Sequence, residues 1–159
     1  MSRLHRPPFV DATTNICYDT DNSDYEGWLT KQSMWLKDWR RRYFILKGSK
    51  LFFAKSEYEA PHGMIDLSTC TTVKSADLKS HKRNSFEIST AETTYLIYAD
   101  TEKEKDDWIG SVGRAIVRCS STYQRENTAA SQSYDGQGQQ DDDDGGSVYS
   151  NDSNNPYFN

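Results

Sequence analysis

Three cations flank a short segment in the first third of the chain: Lys31 precedes it, and Arg40 and Arg42 follow it. Side chains alternate between the two faces of a strand, so Arg40 and Arg42 share a face with Phe44. If Phe44 points into a core, the two arginines continue its row to the rim, where Lys31 meets them across a hairpin. Arg binds phosphate oxygens bidentately, and Lys acts as a movable point charge. This basic cluster of Lys31, Arg40 and Arg42 therefore predicts a site for a phosphorylated ligand.

Two further lysines are expected to add positive charge beside the basic cluster. Lys55 continues the row of Phe53 on the following strand, and Lys37 lies in the segment between the two arms. Residues 31–55 carry eight Lys and Arg against a single acid, Asp38. Because salt screens charges beyond ~8 Å, a patch of this kind attracts anions even when the whole chain is negative.

The segment between these arms carries three consecutive apolar residues, Met34, Trp35 and Leu36. Trp prefers the boundary between water and a bilayer, and each nearby Lys or Arg adds about 1 kcal/mol of attraction to an anionic leaflet. We interpret the three residues as a membrane-insertion tip. The other interpretation places Trp35 in the core of the hairpin.

The elements that must position these residues are predicted to be short strands followed by one helix. Seven runs are aromatic or β-branched and end at polar or turn residues, with no room for crossover helices between them. These runs cover residues 25–32, 41–48, 50–56, 63–69, 70–76, 84–90 and 93–100. The pattern predicts an antiparallel meander of seven strands.

The hydrophobic period changes after these runs. Apolar residues then recur at spacings of three and four, which predicts one amphipathic helix. They are Trp108, Val112, Ala115, Ile116 and Cys119. Thr101 and Glu104 fit a capping box at its start. A single amphipathic helix must bury its apolar face, and an open end of the sheet is the available partner.

Composition divides the chain into three regions. Residues 25–120 hold sixteen Lys and Arg against thirteen Asp and Glu, and we predict that they form the one folded domain. Residues 121–159 hold one Arg against seven acids and no Leu or Ile, which predicts a disordered acidic tail, our candidate for binding a protein partner. Residues 1–24 are predicted to be a flexible extension, although Phe9 and Ile16 leave room for a docked piece.

Other classes of function find no support in the sequence. The chain has no nucleophile elbow, P-loop or nucleic-acid-binding signature, so we expect neither an enzyme nor a nucleic-acid binder. The three histidines match no metal-ligand spacing, and we predict no metal and no cofactor. Three scattered cysteines without a CxxC pair fit a reducing compartment. No stretch is long and apolar enough to span a membrane, so we expect any membrane contact to come from the water side.

The motifs, in their order along the chain, resemble a pleckstrin homology (PH) domain over residues 25 to about 119. They are "GWLTKQ" and "WRRRYFILK" around the hairpin, the "FEIST" strand, and a terminal helix that contains Trp108. The resemblance implies a mainly β fold: a partly open seven-stranded antiparallel barrel capped by one C-terminal amphipathic α-helix. Lipid-binding members of that family use a Lys at the end of the first strand and a basic-x-Arg at the start of the second. These positions correspond to Lys31, Arg40 and Arg42.

The resemblance extends to the small single-domain plant proteins of this family that are implicated in binding phosphatidylinositol 3-phosphate on endosomes. It implies a cytoplasmic adaptor that associates peripherally with a phosphoinositide-containing membrane, endosomal or plasma membrane. Phe53 and His62 depart from the family pattern, because tight binders often have Tyr and Arg there. We therefore expect a weakly phosphorylated inositol lipid as the ligand. The alternative is a protein-interaction scaffold with only nonspecific affinity for anionic membranes.

Overall fold

The protein consists of a two-stranded N-terminal ribbon, a seven-stranded sheet and a long C-terminal helix. This computed structural model describes the backbone of residues 5–134 and the side chains of residues 5–120. The strands are β1 (Phe9–Val10), β2 (Cys17–Tyr18), β3 (Tyr25–Gln32), β4 (Trp39–Lys47), β5 (Lys50–Ala54), β6 (Gly63–Asp66), β7 (Cys70–Ser75), β8 (Ser85–Thr90) and β9 (Thr94–Tyr98). The helices are α1 (Asp77–Ser80) and α2 (Glu102–Tyr134).

Strands β3 to β9 form one antiparallel sheet in the order β6-β5-β4-β3-β9-β8-β7. Strand β9 closes back on β3 through the pairs Thr30–Tyr98 and Lys31–Ile97. The sheet ends at β6 and β7, which the 3-10 turn Leu67–Thr69 connects. The predicted seven-stranded antiparallel, partly open barrel is thus confirmed. The fourth predicted strand is shorter than expected, because its last three residues form that turn.

Helix α2 packs on β7 and the 3-10 turn with the apolar stripe that the sequence predicts. Trp108 and Ala115 are almost fully buried, and the Trp108 ring contacts the Tyr25 ring edge-on with 4.6 Å between centroids. At the start of the helix, the Oγ1 of Thr101 accepts a hydrogen bond from the N–H of Glu104 at 3.1 Å. Burying one large apolar side chain contributes about 1.5–3 kcal/mol, so this stripe holds the helix on the barrel.

Helix α2 is longer than composition predicts. It continues to Tyr134, whereas the acidic tail is predicted to begin at residue 121. Extending an existing helix costs far less than nucleating one, so a helix anchored by its packed first turns can continue into a polar segment. The rest of the predicted tail, residues 135–159, lies outside the described residues.

The described part of the N-terminal extension, residues 5–24, is docked on the sheet, so the prediction of a flexible extension is wrong for this part. Strands β1 and β2 form a ribbon in which Phe9 is paired with Tyr18. Both rings contact Phe52 on the outer face of the sheet, each with 5.7 Å between centroids. These aromatic rings bury apolar area, although the segment is polar in its average composition.

Arg6 fastens this ribbon to the sheet. Its guanidinium donates to the Oγ1 of Thr20 at 3.0 Å, to the carbonyl oxygen of Glu57 at 2.7 Å and to the carboxylate of Glu26 at 2.8 Å. Only 8% of Arg6 is exposed. Buried charges are tolerated where they are paired and hydrogen-bonded, and Arg6 meets both conditions. The extension is therefore part of the folded domain from Arg6 onward.

Candidate functional site

The register of β3 and β4 brings the basic cluster together near the end of their shared hairpin. Lys31 is directly opposite Arg40, and Arg42 is opposite Leu29. Leu29 and Phe44 are buried in the main core. Alternation along each strand then places the three cations on the core-facing side, beyond the last buried residues. The basic cluster therefore extends the inward rows of two neighbouring strands.

Lys31 is buried, with 9% of the residue exposed. Its Nζ lies 5.0 Å from the centroid of the Phe53 ring and 5.6 Å from that of the Tyr95 ring. Among the residues the structure describes, no carboxylate forms an ion pair with this ammonium. Desolvation and the fields of Arg42 and Arg40 lower the pKa of Lys31 below its ordinary value. A buried ammonium beside two cations is costly until an anion joins it.

The arginines of this segment divide between the two faces of β4. Arg42 donates from Nη1 to the carbonyl oxygen of Arg41 at 2.8 Å, and Arg40 lies 3.4 Å from the carboxylate of half-exposed Asp38. Arg41 points to the outer face, where it donates two hydrogen bonds of 3.1 Å to Asp100. A guanidinium has five N–H donors, so Arg40 and Arg42 keep donors for a ligand. Arg41 instead ties β4 to the segment that precedes α2.

The segment between β5 and β6 adds two more groups to the same opening. Lys55 follows the last residue of β5, and His62 precedes β6 and donates its backbone N–H to the carbonyl oxygen of Phe53 at 3.0 Å. Partial desolvation and the fields of Arg42, Lys55 and Lys31 lower the pKa of His62. Cations of β3, of β4 and of the segment after β5 therefore act on one histidine. We call this opening the basic mouth, and its residues are Lys31, Arg40, Arg42, Lys55 and His62.

Gly63 makes room for the aromatic floor of the basic mouth. Phe53 and Gly63 are cross-strand partners in β5 and β6, and a Cβ atom on Gly63 would overlap the Phe53 ring. The ring therefore lies across the glycine. It contacts the Phe44 ring at 5.5 Å and the His62 ring at 5.2 Å between centroids, the latter edge-on. A residue larger than glycine would displace the surface on which Lys31 and His62 rest.

The hairpin loop, residues 33–38, presents its apolar side chains to solvent. Trp35 is 89% exposed, and Leu36 and Met34 are 63% and 45% exposed. The interpretation of Trp35 as a core residue of the hairpin is therefore wrong. Large apolar side chains that adjoin each other at a protein surface commonly mark a contact with a partner or a membrane.

The hairpin loop is closed by hydrogen bonds across its base. The N–H of Ser33 donates to the carbonyl oxygen of Asp38 at 2.7 Å, and the N–H of Asp38 donates to the Oγ of Ser33 at 3.1 Å. Lys37 adopts a left-handed backbone conformation, with φ of 62°, and is exposed. It lies in the loop rather than in the basic mouth, so the structure brings together four of the five predicted cations.

Known proteins resemble this chain in sequence and in fold. The profile of the PH domain family matches residues 23–117, which is more than half of the chain. The chain belongs to the PH domain family. PH domains are generally non-enzymatic binding modules, and many bind phosphoinositide headgroups.

The PH domain is similar in sequence to proteins of a plant and of a slime mould. It is 44% identical over 103 residues to pleckstrin homology domain-containing protein 1 of Arabidopsis thaliana, a match that covers 61% of this chain and 71% of the relative. It is 42% identical over 97 residues to a PH domain-containing protein of Dictyostelium discoideum, covering 59% of this chain and 21% of that protein. The second relative is thus much longer than the region it shares.

Solved structures share the PH fold. The C-terminal PH domain of pleckstrin, crystallised in complex with D-myo-Ins(1,2,3,4,5)P5, is 34% identical with a TM-score of 0.51. The match covers 58% of this chain and 97% of that chain. The sequence motifs predicted a PH domain, and this prediction is confirmed.

Metal-binding and membrane-spanning features are absent from the part of the chain that the structure describes. There, no group of three or more His, Cys, Asp or Glu is arranged to hold a metal ion. No helix of that part is long and apolar enough to cross a membrane. Burial raises the pKa of the Cys70 thiol to about 12, which keeps it protonated and unreactive at neutral pH.

Sequence reasoning predicts the cations of the PH domain but not the groups that support them. Tyr95 lies beneath Lys31, and alternation along β9 could have identified it, because it shares a face with the buried Ile97. Gly63 and His62 give no such periodic signal. Their roles depend on the Phe53 ring, and this contact is visible only in three dimensions.

Proposed function

We propose that this PH domain binds a phosphoinositide headgroup in the basic mouth and so recruits the protein to a membrane as an adaptor. The observation that carries the proposal is the state of Lys31, a buried ammonium opposite Arg40 with no carboxylate partner among the described residues. A phosphate group would neutralise this charge and accept its hydrogen bonds. Arg42 would supply bidentate contacts from the same face, and Lys55 would add attraction from the segment after β5.

The hairpin loop supports binding at a bilayer rather than to a free sugar phosphate alone. Met34, Trp35 and Leu36 are exposed at the loop, and insertion of their side chains into the headgroup region would remove apolar area from water. Lys37 lies beside them and would attract anionic lipid from outside the basic mouth. Headgroup binding and insertion would then act together, because neither alone gives a firm membrane attachment.

The donors of the basic mouth favour a weakly phosphorylated lipid such as phosphatidylinositol 3-phosphate. Phe53 offers no hydroxyl donor, and His62, whose pKa is lowered in the free domain, is not a permanent cation as an arginine would be. We therefore assign the protein to the cytoplasmic side of endosomal membranes or of the plasma membrane. For a protein partner of the adaptor, our candidate is the acidic C-terminal segment, residues 121–159.

The test is sedimentation with vesicles that carry one phosphoinositide at a time, at physiological salt. Wild type is compared with Arg42→Ala and with Lys103→Ala, whose exposed ammonium pairs with Asp107 on α2, outside the basic mouth. We expect selective binding to one lipid. A charge-assisted bidentate contact is worth about 1.5–3 kcal/mol, so Arg42→Ala should lose at least tenfold in affinity. Lys103→Ala should bind like wild type.

Two other outcomes would contradict the proposal. Equal binding of wild type to all anionic vesicles, with equal effects of both substitutions, would reduce the basic mouth to nonspecific electrostatic attraction. No vesicle binding at all would favour the alternative, a protein-interaction scaffold built on the same fold.

A further inference from the structure

We infer that His62 is a further ligand-binding residue of the basic mouth, neutral in the free protein and protonated when a phosphate group binds. The inference rests on the proposed function, since the ligand is the phosphate of the inositol headgroup. The inference gives a role to His62, a position at which the sequence differs from the family pattern.

Two contacts fix His62 at the opening. Its backbone N–H donates to the carbonyl oxygen of Phe53 at 3.0 Å, and its ring packs edge-on against the Phe53 ring with 5.2 Å between centroids. The Nζ of Lys31 lies 5.0 Å from the centroid of that same ring. The imidazole and the ammonium therefore share one aromatic support. His62 is exposed, so a ligand held by Lys31 can reach its ring nitrogens.

The charged groups that act on His62 come from each element around it. Arg42 on β4, Lys31 on β3 and Lys55 after β5 oppose its protonation, and Glu59 in the segment before it favours protonation. With partial desolvation, the three cations outweigh the single carboxylate, so the pKa of His62 is lowered. In the free protein at neutral pH the imidazole is therefore neutral, with one nitrogen able to accept and the other able to donate.

A bound phosphate reverses the sign of this field. A phosphate monoester carries a charge of about −1.5 to −2 near neutral pH. An opposite charge within about 4–6 Å favours the charged form of a histidine, so the pKa of His62 rises when the phosphate occupies the basic mouth. The complex then takes up a proton. Between the free and bound pKa values, the contribution of His62 to affinity increases as the pH falls.

Histidine suits this position because its charge appears only with the ligand. A permanently charged arginine would add a further cation beside Lys31, whose own pKa is already lowered by its neighbours. A neutral imidazole avoids that repulsion in the free domain and still offers a charge-assisted hydrogen bond in the complex. Binding is therefore expected to strengthen under mildly acidic conditions.

The experiment is isothermal titration calorimetry with inositol 1,3-bisphosphate, the soluble headgroup of phosphatidylinositol 3-phosphate. Each titration is repeated in buffers of different ionisation enthalpy, which gives the number of protons taken up. The proteins are wild type, His62→Gln and the matched control His81→Asn, in which Asn tolerates the left-handed conformation that His81 adopts. The phosphates of the ligand also titrate, but they do so with all three proteins, so the difference between them isolates His62.

We expect wild type and His81→Asn to take up protons that His62→Gln does not take up. His62→Gln should also bind more weakly than wild type, by roughly five- to tenfold at about pH 6 and by less at about pH 8. Because Gln keeps a hydrogen-bond donor and acceptor, a fold defect is not expected. An NMR titration of the His62 ring in wild type tests without a substitution whether ligand binding protonates this residue. The pKa of His62 should be higher in the presence of the ligand than in its absence.

The outcomes separate this inference from the proposed function. Equal proton uptake by wild type and His62→Gln, or an NMR titration that ligand leaves unchanged, would overturn the role of His62. If Arg42→Ala still abolished binding in that case, headgroup binding in the basic mouth would stand. Failure of wild type to bind the headgroup or any phosphoinositide vesicle would overturn both.

Discussion

Lys31 and Arg40 are directly opposed across the β3–β4 hairpin, so two positive charges occupy facing inward positions of one sheet. Like charges in opposite positions destabilise a sheet, and the burial of Lys31 adds the desolvation of an ammonium. Clusters of this kind persist at functional sites, where a ligand supplies the missing charge. We therefore expect the basic mouth to lower the stability of the free domain, a cost that the proposed anionic ligand would offset.

Replacing Lys31 by Met is expected to stabilise the domain and to abolish headgroup binding. Met is flexible, apolar and similar in length, so it can pack on Phe53 without a buried charge. We expect a gain of about 1 kcal/mol, which raises the midpoint of thermal unfolding by about 4 to 8 °C for a domain of this size. Calorimetry and vesicle sedimentation measure the two effects. A Lys31→Met protein less stable than wild type would show that the contacts of the ammonium with the Phe53 and Tyr95 rings and with the carbonyl oxygen of Gln32 outweigh its desolvation.

The stability difference between wild type and Lys31→Met should shrink as the pH rises. The pKa of Lys31 is lowered in the folded state, so between that value and the ordinary one of about 10.4 the unfolded chain binds more protons. Stability of wild type relative to Lys31→Met therefore rises with pH in this window. Urea denaturation of both proteins at neutral and alkaline pH measures the difference. If the difference in the free energy of unfolding did not change with pH, the pKa of Lys31 would not be lowered in the folded state.

Replacing Gly63 by Ala should weaken both the fold and headgroup binding. The added methyl group would overlap the Phe53 ring and displace the floor beneath Lys31, at an expected loss of about 1–3 kcal/mol in the free energy of unfolding. The matched control is Gly27→Ala, another strand glycine, where the new methyl group would lie 3.6 Å from Trp108. Urea denaturation and calorimetry with the headgroup should separate the two variants. Equal effects would show that the Phe53 ring is free to move aside.

The strands themselves and the cations of the basic mouth are predictable from sequence because both depend on local periodicity, whereas the pairing of β9 with β3 is non-local. Arg40 and Arg42 share a face with Phe44 in any sheet that contains them. The role of His62 is not predictable in this way. Its protonation depends on cations of β3, of β4 and of the segment after β5, and its position depends on the Phe53 ring. Tertiary pairing rather than spacing along the chain brings these groups together.

The docked N-terminal ribbon escapes prediction for a different reason. Its composition is polar, and average burial rules place an arginine such as Arg6 at the surface. Arg6 is buried because Thr20, Glu26 and Glu57 satisfy its donors together, and such a combination of partners has no signature in composition. Polar segments of this kind can dock when a few aromatic side chains supply the buried area.

Replacing Trp35 by Ala should weaken vesicle binding without changing headgroup affinity or stability. Trp35 is 89% exposed, so its removal costs the fold little. Loss of its insertion should lower affinity for phosphoinositide vesicles by roughly tenfold, or about 1.4 kcal/mol. Sedimentation with vesicles and calorimetry with the soluble headgroup measure the two affinities. Unchanged vesicle affinity would exclude insertion of the hairpin loop.

Replacing Arg6 by Ala should destabilise the domain while leaving headgroup binding unchanged. The substitution removes four hydrogen bonds and leaves the carboxylate of Glu26, which is 25% exposed, without its ion-pair partner. We expect a loss of about 2 kcal/mol in the free energy of unfolding, measured with urea.

The control for this prediction is Arg114→Ala, because Arg114 is exposed on α2 and, among the side chains of residues 5–120, donates a hydrogen bond only to Ser111, at 3.4 Å. It should change stability by less than about 0.5 kcal/mol.

Hydrogen bonds from Ser23, Tyr43 and Arg6 lower the pKa of Glu26 against the opposing effect of burial. That stabilisation is present above the ordinary Glu pKa and is lost as the pH falls through the folded value. The loss of stability caused by Arg6→Ala should therefore become smaller as the pH falls. A loss that becomes larger in acid would show that the ion pair between Arg6 and Glu26 does not hold the ribbon on the sheet.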